Sequence, residues 1–299
     1  MDKKTTEENL DGKTLITEEE YKYDNPLHAQ LTSQIVKNSL GEESETKYYY
    51  PDDLSNEPFM AELKTANRIG MPITIEKYKG GTLFSKNKTV YAKDASTGNL
   101  LLPKSMYEAK FPNTFPALTN IGNLEKKITY NQYDEKGNVL QYTIESGISV
   151  AIVWGYNKTL PIAKIENVTY NTIPTETIAN LQSLSNDDND NCMSGNCTEQ
   201  LLRNALNAFR NTVQNAFITT YTYNPLTGVT SVTDPKGVAS YYEYDAAGRL
   251  KFVKDKDLNV LQKYCYNYKG QQVNCSDNSS SSVVLYKSAA KSGSFTKDN

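Results

Sequence analysis

The sequence predicts a mainly β protein: antiparallel hairpins stacked side by side into a curved or spiral sheet, with an inserted α-helical hairpin. Three observations carry that prediction. Tyrosine-rich runs such as "TYTYNP", "YYEYD" and "KYCYNY" fill the second half of the chain. A short unit, tyrosine then aspartate or asparagine with a glycine three residues on, recurs between alternating runs. Strong helical periodicity, in contrast, is concentrated between residues 171 and 217.

The recurring unit reads Tyr133-Asp134-Gly137, Tyr244-Asp245-Gly248 and Tyr266-Asn267-Gly270, with a one-residue-longer copy at Tyr223-Asn224-Gly228. A copy lacking the glycine starts at Tyr156. Tyr223 and Tyr244 are 21 residues apart, Tyr244 and Tyr266 22, and Tyr133 and Tyr156 23. Asp234–Gly237 ("DPKG") and Asp255–Asn259 ("DKDLN") are turns between the units, so each period holds two strands and two turns. The chemistry is local. Aspartate or asparagine bonds its own backbone two residues on, and glycine takes the positive φ that closes a tight turn. A lone hairpin is marginal in water, so the copies must pair edge to edge and share an interior.

In chain order, residues 1–47 are acidic and weakly patterned and are expected to be a loosely ordered lead-in. Residues 48–124 read as a mixed, β-rich segment. It has a short helix near Glu57–Asn67, a hairpin turning at Gly80-Gly81 and a strand in "TGNLLLPKSMYEAKF". A first repeat block spans 125–170. The helical insertion, 171–217, pairs "PTETIANLQSLS" with a longer helix whose apolar face is Leu201, Leu202, Ala205, Leu206, Phe209, Val213 and Phe217, with Thr198 as N-cap. A second repeat block spans 218–275. Residues 276–299 read as a serine-rich linker and the start of a C-terminal segment.

Composition narrows the function classes. The chain has 299 residues, 38% of them hydrophobic, and 22 tyrosines. Tyrosine rings therefore make up part of the apolar shortfall, each expected to bury a ring while keeping its hydroxyl near water. A net charge of −3 without a basic stripe argues against nucleic acid. No apolar run reaches the roughly 18–20 residues of a membrane span. The start has no apolar core of a secretory signal, and both ends read as cuts through something longer.

No candidate for chemistry stands out. His28, the sole histidine, lies in the least patterned region and reads as a surface residue. "NDDNDN" (186–191) offers calcium-loop oxygens at 187, 189 and 191 but lacks the central glycine and closing glutamate, so a solvated acidic loop is expected. Cys192/Cys197 and Cys265/Cys275 are two close pairs, which leaves two local disulfides or buried free thiols open. Trp154 sits in an apolar strand and reads as core. "YKGG" and "SGIS" are too poor in glycine and basic residues to cradle phosphate. Glu42-Glu43 and Asp52-Asp53 are adjacent in sequence and no evidence of a glycosidase pair. No catalytic, cofactor or metal residue is assigned.

On the units at Tyr133, Tyr223, Tyr244 and Tyr266, and on the flanking "TSVTDPKGVASYYEYDAAGRLKFVKDKDLNVLQKYCYNYKGQQ", the chain resembles the RHS/YD-repeat proteins, specifically the long surface or secreted versions of Bacteroidetes. The clear match covers about 125–170 and 218–275. The resemblance implies strands wound into a long spiral sheet, which in larger relatives closes around a C-terminal toxin. It implies no catalytic residue, and "DPKGV" at Asp234, followed by further repeats, reads as an ordinary turn. The expectation is a non-enzymatic scaffold, shell or spacer segment of a large bacterial secreted or cell-surface protein, without cofactor. Its partners would be the remaining portions of the same polypeptide. The alternatives are a carbohydrate-binding or adhesive surface that takes glycans, and the shell portion of a polymorphic toxin whose effector lies outside this chain.

Overall fold

The computed structural model describes residues 2–109, 124–190 and 192–266. Among the described residues, sixteen strands follow one another in chain order through one antiparallel sheet, with few helices. By packing, the chain divides into two compact units, Met1–Ala151 with Val168–Tyr170, and Ile152–Asn167 with Asn171–Asn299.

The first unit opens with β1 (Asp2–Leu10), β2 (Lys13–Lys22), β3 (Ser33–Lys37) and β4 (Glu43–Tyr49). The loosely ordered lead-in expected over 1–47 is therefore corrected where these four strands lie; the connections over 23–32 and 38–42 are turn or irregular. Backbone ladders ask nothing of apolar content, and here Asp11-Gly12 closes the first hairpin with φ of 49° and 76°. Exposed pairs Lys3–Glu18 (2.9 Å) and Lys4–Glu19 (3.1 Å) decorate that ladder and add little of their own. α1 (Met60–Thr65), β5 (Thr74–Lys79) and β6 (Thr82–Ala92) follow. Met60 and Leu63 of α1 pack with Ile73 and Tyr91 as a local core. Gly80 and Gly81, both at positive φ (53° and 76°), make the β5–β6 turn. β7 (Leu102–Ala109), β8 (Leu124–Tyr133), β9 (Val139–Ile144) and the start of β10 (Ser149–Gly155) complete the unit.

The second unit holds the end of β10, β11 (Leu160–Glu166), α2 (Thr175–Asp187), α3 (Thr198–Thr212), and β12 (Phe217–Asn224), β13 (Gly228–Thr233), β14 (Ala239–Tyr244), β15 (Leu250–Lys254) and β16 (Val260–Lys263). β11 pairs directly with β12, Ala163 opposite Thr220, so both helices loop out of a single strand-to-strand connection. Val153, Ile162, Ile165 and Ile218 of the strands and Leu181, Leu202, Leu206 and Phe209 of the helices form its buried set. Two expectations are corrected here. Leu201 is 53% exposed, and Phe217 belongs to β12, not the helix, and is 56% exposed. Trp154 is half-buried, because the buried side of β10 is the alternate set Ala151, Val153 and Gly155.

One turn is built the same way five times. Asp134 accepts at Oδ1 from the N–H groups of Lys136 and Asn138 (2.9 and 2.8 Å), its own N–H donates to Asn138 O (2.9 Å), and Gly137 N–H donates back to Asp134 O (3.0 Å). Asn38, Asp234, Asp245 and Asp255 repeat this pattern with the residues two, three and four positions on. The fourth turn residue is left-handed in each: Gly41, Gly137, Gly237, Gly248, and in the last turn Leu258 at φ 65°. A leucine there is strained by about 1–2 kcal/mol. Leu258→Gly is therefore expected to stabilise the protein by roughly 0.5–1 kcal/mol after the added unfolded-state entropy is subtracted. A higher urea midpoint with unchanged slope is the expected reading.

Candidate functional site: tyrosine clamps and the seat of the helical insertion

The tyrosine of each repeat unit does a second job beside filling space. Tyr133, ending β8, donates its hydroxyl to Pro103 O in β7 (2.6 Å). Tyr223 of β12 reaches Pro161 O in β11 (2.8 Å), and Tyr244 of β14 reaches Val229 O in β13 (2.9 Å). Tyr266, just after β16, reaches Leu250 O in β15 (2.9 Å). Tyr50, just after β4, makes the same bond to Leu31 O ahead of β3 (2.9 Å), although no repeat unit marks it in the sequence.

In every case the acceptor lies at or beside the start of the preceding strand. The tyrosine ties its strand to its predecessor, and in the aspartate units the next residue closes the turn to its successor. This corrects the expectation of hydroxyls kept near water. Burial pushes the Tyr133, Tyr223 and Tyr244 hydroxyls up from the ordinary phenol range, so they stay protonated donors.

The longer copy at Tyr223 also has a physical reason. Asn224 closes its own turn through Thr227 N–H to Asn224 O (3.0 Å) and Leu226 N–H to Asn224 Oδ1 (3.0 Å). Gly228 then has φ 148°, and a Cβ on it would stand 2.8 Å from the Tyr244 hydroxyl oxygen. That glycine is the seat of the next clamp's ring.

The copy at Tyr156 departs from the pattern. Tyr156, Asn157 and Lys158 are all left-handed, with φ of 49°, 58° and 59°. Three such residues in a row are costly without glycine, and α2 holds the first two. Ser185 Oγ accepts Tyr156 N–H (3.0 Å), Asn186 Oδ1 accepts Asn157 N–H (2.6 Å), and Gln182 Nε2 donates to Trp154 O (2.8 Å). Tyr156 itself accepts Tyr223 N–H (2.8 Å) and donates to Asp188 Oδ2 (2.6 Å). The helix replaces the glycine.

Asp188 is 6% exposed, the exception in an acidic stretch whose Asn186, Asp187 and Asn189 are exposed as expected. Burial, reinforced by the nearby Glu199 and Asp190 carboxylates, raises its pKa to about 6. The folded state thus prefers the protonated acid. Stability from this group is fully present below the unfolded value of about 3.8, falls as pH rises toward 6, and stays lost above that. The expected loss is roughly 1–3 kcal/mol. In Asp188→Asn, that fall between pH 4 and pH 7 should vanish from the stability profile. Identical pH slopes in both proteins would refute it.

α3 sits on a floor of hydroxyls. Glu199, 1% exposed, accepts at Oε1 from Thr222 (2.8 Å), from Thr230 and from the Arg203 guanidinium (2.7 Å). Thr222 in turn meets Ser231 at 2.6 Å. The expected cap, Thr198, is instead the first helical residue. Cys197 is the N-cap, with Sγ accepting from Gln200 N–H (3.4 Å), while Asp190 accepts from Thr198 N–H (2.9 Å) and Glu199 N–H (3.3 Å). Cys192 and Cys197 are joined as a disulfide beside that first turn. Cys265 is described; Cys275, Asn267, Gly270 and the segment 276–299 lie outside the described residues.

His28 is not a surface residue. It is 5% exposed and its ring packs, tilted by 46°, with its centroid 4.7 Å from that of Tyr50. Its Nδ1 accepts Gln30 N–H (2.9 Å), which leaves Nε2 as the nitrogen facing Asp53 Oδ2 (3.3 Å). Both ring nitrogens serve the fold. Of the sequence-marked residues, the structure brings together Asp190, Cys192 and Cys197, whose sulfurs are joined. The residues that sequence reasoning missed are Glu199, Gly155, Gly228's role as a ring seat, and Tyr50. Only the Asp11-Gly12 pair and the Tyr50-Pro51-Asp52-Asp53 run carried signals that could have been read.

No family model matches this sequence, and no curated protein matches it. Among solved structures, 88% of the chain aligns with a crystal structure of TcdB2-TccC3 at 13% identity and a TM-score of 0.32, spanning 11% of that chain. A structure of TcdB2-TccC3 without its hypervariable C-terminal region aligns over 84% of the chain at 13% identity, TM-score 0.31, again spanning 11% of the other chain. A porin-like protein from Bacteroides uniformis aligns over 85% of the chain and 81% of its own length, at 10% identity and TM-score 0.27. No helix among the described residues is long and apolar enough to cross a membrane.

Proposed function

We propose that this chain is a non-enzymatic scaffold segment of RHS/YD-repeat type, belonging to a larger bacterial secreted or cell-surface polypeptide whose flanking hairpins continue its sheet as a curved wall. The observation that supports this reading is the clamp repeated at Tyr50, Tyr133, Tyr223, Tyr244 and Tyr266, at the ends of β4, β8, β12, β14 and β16, each reaching back to the strand before it or the residues just ahead of that strand. Such a device propagates: each added hairpin supplies the carbonyl that the next tyrosine needs, so length is gained without a new fold. Its partners are then the neighbouring portions of the same polypeptide. The same bonds engage the repeat hydroxyls with main chain, which weighs against those tyrosines as a glycan platform.

The test has a structural and a functional arm. Tyr133→Phe is expected to cost roughly 1 kcal/mol and to lower amide protection in β7, the preceding strand, not only in β8. Bacterial expression of the segment is expected to leave growth unchanged and to yield no glycan-array binding that depends on these tyrosines. Growth arrest by the segment itself, or glycan binding lost on Tyr→Phe substitution, overturns the scaffold reading.

A further inference from the structure

Among the described residues, β1 is the outermost strand at one side of the sheet, paired with β2 alone. All nine of its residues pair with β2 without a bulge, from Asp2 opposite Tyr21 to Leu10 opposite Lys13. Open edges are usually blunted by shortness, a bulge or a proline, and β1 has none of these. The outermost strand at the other side, β16, has four residues and a bulged ladder to β15. The turn decides which backbone groups of β1 are free. In a two-residue hairpin such as Asp11-Gly12 the closing pair, Leu10 and Lys13, exchanges both backbone bonds. The even-numbered residues of β1 therefore bond to β2, and Lys3, Thr5, Glu7 and Asn9 turn their N–H and C=O groups to the open edge.

Charge is the other common guard of an edge, because a strand of one sign repels its like. β1 instead changes sign along its length, with Lys3 and Lys4 near its start and Glu7 and Glu8 near its end. The lysines reach Glu18 and Glu19 of β2, yet their side chains stay 57% and 62% exposed. An ammonium has three donors, so each can take a second carboxylate. Glu7 and Glu8 are exposed and lie opposite Ile16 and Leu15, apolar residues that offer a carboxylate nothing.

An antiparallel copy of the same strand answers all four charges. Side chains opposite one another must share a face, and with Thr6 on a two-fold axis all nine positions overlap. Lys4 then faces Glu8 of the second copy, Thr6 faces Thr6, and Lys3 faces Asn9 with Glu7 on its diagonal. The outward groups of residues 3, 5, 7 and 9 meet in about eight backbone hydrogen bonds, two to each bonded pair. We propose that the β1 edge is an interface for a second copy of this chain, joined as a symmetric antiparallel dimer centred on Thr6. The inference goes beyond the scaffold reading, because here the sheet continues into another molecule and not into a hairpin of the same polypeptide.

The full chain is measured by sedimentation equilibrium over a concentration series at low and high salt. The unaltered protein is expected to dimerise reversibly, less tightly at high salt. Rising concentration is expected to slow amide exchange at Lys3, Thr5, Glu7 and Asn9. Glu8→Lys sets Lys4 against a lysine, and Lys4→Glu sets Glu8 against a glutamate. Each alone is expected to weaken dimerisation about tenfold. An equimolar mixture of the two variants restores every opposite-charge pair and is expected to recover the unaltered affinity as a heterodimer. Should Lys4→Glu, which also gives up its pair with Glu19, fail to fold, Glu8→Lys alone decides. The proposal is overturned by a chain that stays monomeric at every concentration, or by unchanged dimerisation in Glu8→Lys. A mixture of folded variants that associates no better than its parts overturns it too, as does association that leaves the four edge amides exchanging as before. A monomer leaves the scaffold reading standing, whereas growth arrest by the segment removes that reading and not this one.

Discussion

Gly155→Val is expected to lower the stability of the second unit by roughly 2–3 kcal/mol, an overpacking cost at the upper end of the usual range. Gly155 ends β10 where α2 lies directly against it. A Cβ there would stand 2.7 Å from Ile162 Cγ2 and 2.8 Å from Ser185 Cβ, both in buried positions that cannot swing aside. Ser185 is also the residue that caps Tyr156 N–H and bonds Gln182 O (2.8 Å). Pushing it away removes the acceptor of Tyr156 N–H, the first of three consecutive left-handed residues. The effect should therefore exceed a simple clash. Amide exchange in α2 and in the 155–160 turn should rise together, with β14 and β15 less affected. An unchanged urea midpoint would show that the helix does not rest on the strand as described.

Tyr223→Ala should cost more, about 3–5 kcal/mol. Tyr223 is 9% exposed, meets the Tyr156 ring edge-on at 5.5 Å, and lies 6.4 Å from Tyr221 on the same strand face. Its hydroxyl clamps Pro161 and its N–H feeds the Tyr156 hydroxyl, which passes on to Asp188. Truncation therefore empties a ring-sized space at the point where repeat clamp and helical insertion meet. Tyr223→Phe separates the contributions, since it keeps the ring and removes only the hydroxyl, for roughly 1 kcal/mol. Thermal or urea unfolding of both variants distinguishes them. Equal losses in Tyr223→Ala and Tyr223→Phe would mean that the clamp, not the ring packing, carries the site.

The aspartate turns were legible because everything they need lies within five consecutive residues: a side-chain acceptor, two amides and a residue able to take positive φ. The strands between them were legible from alternation, and α2 and α3 from their apolar spacing. The lead-in was misread because β1 to β4 carry charge where a core strand would carry valine, and pattern reading weighs side chains rather than backbone pairing. Tyr50 was missed because Pro51 and Leu54 follow it in place of the usual aspartate and glycine, although its hydroxyl finds the same kind of carbonyl. His28 and Asp188 look solvated in sequence and are buried in the structure, each beside a tyrosine more than twenty residues away.

What the sequence determined by itself is the local grammar: where the chain turns, which runs are strands, and where two helices interrupt them. Those choices rest on interactions spanning a few residues, so they can be read without knowing any neighbour. Which carbonyl each tyrosine hydroxyl reaches, why Gly155 and Gly228 must lack a side chain, and how a left-handed turn survives without glycine were decided by tertiary structure alone. Each depends on a partner brought close by the fold, from Val229 beneath Tyr244 to Ser185 above Gly155, and such proximity has no signature in the order of residues.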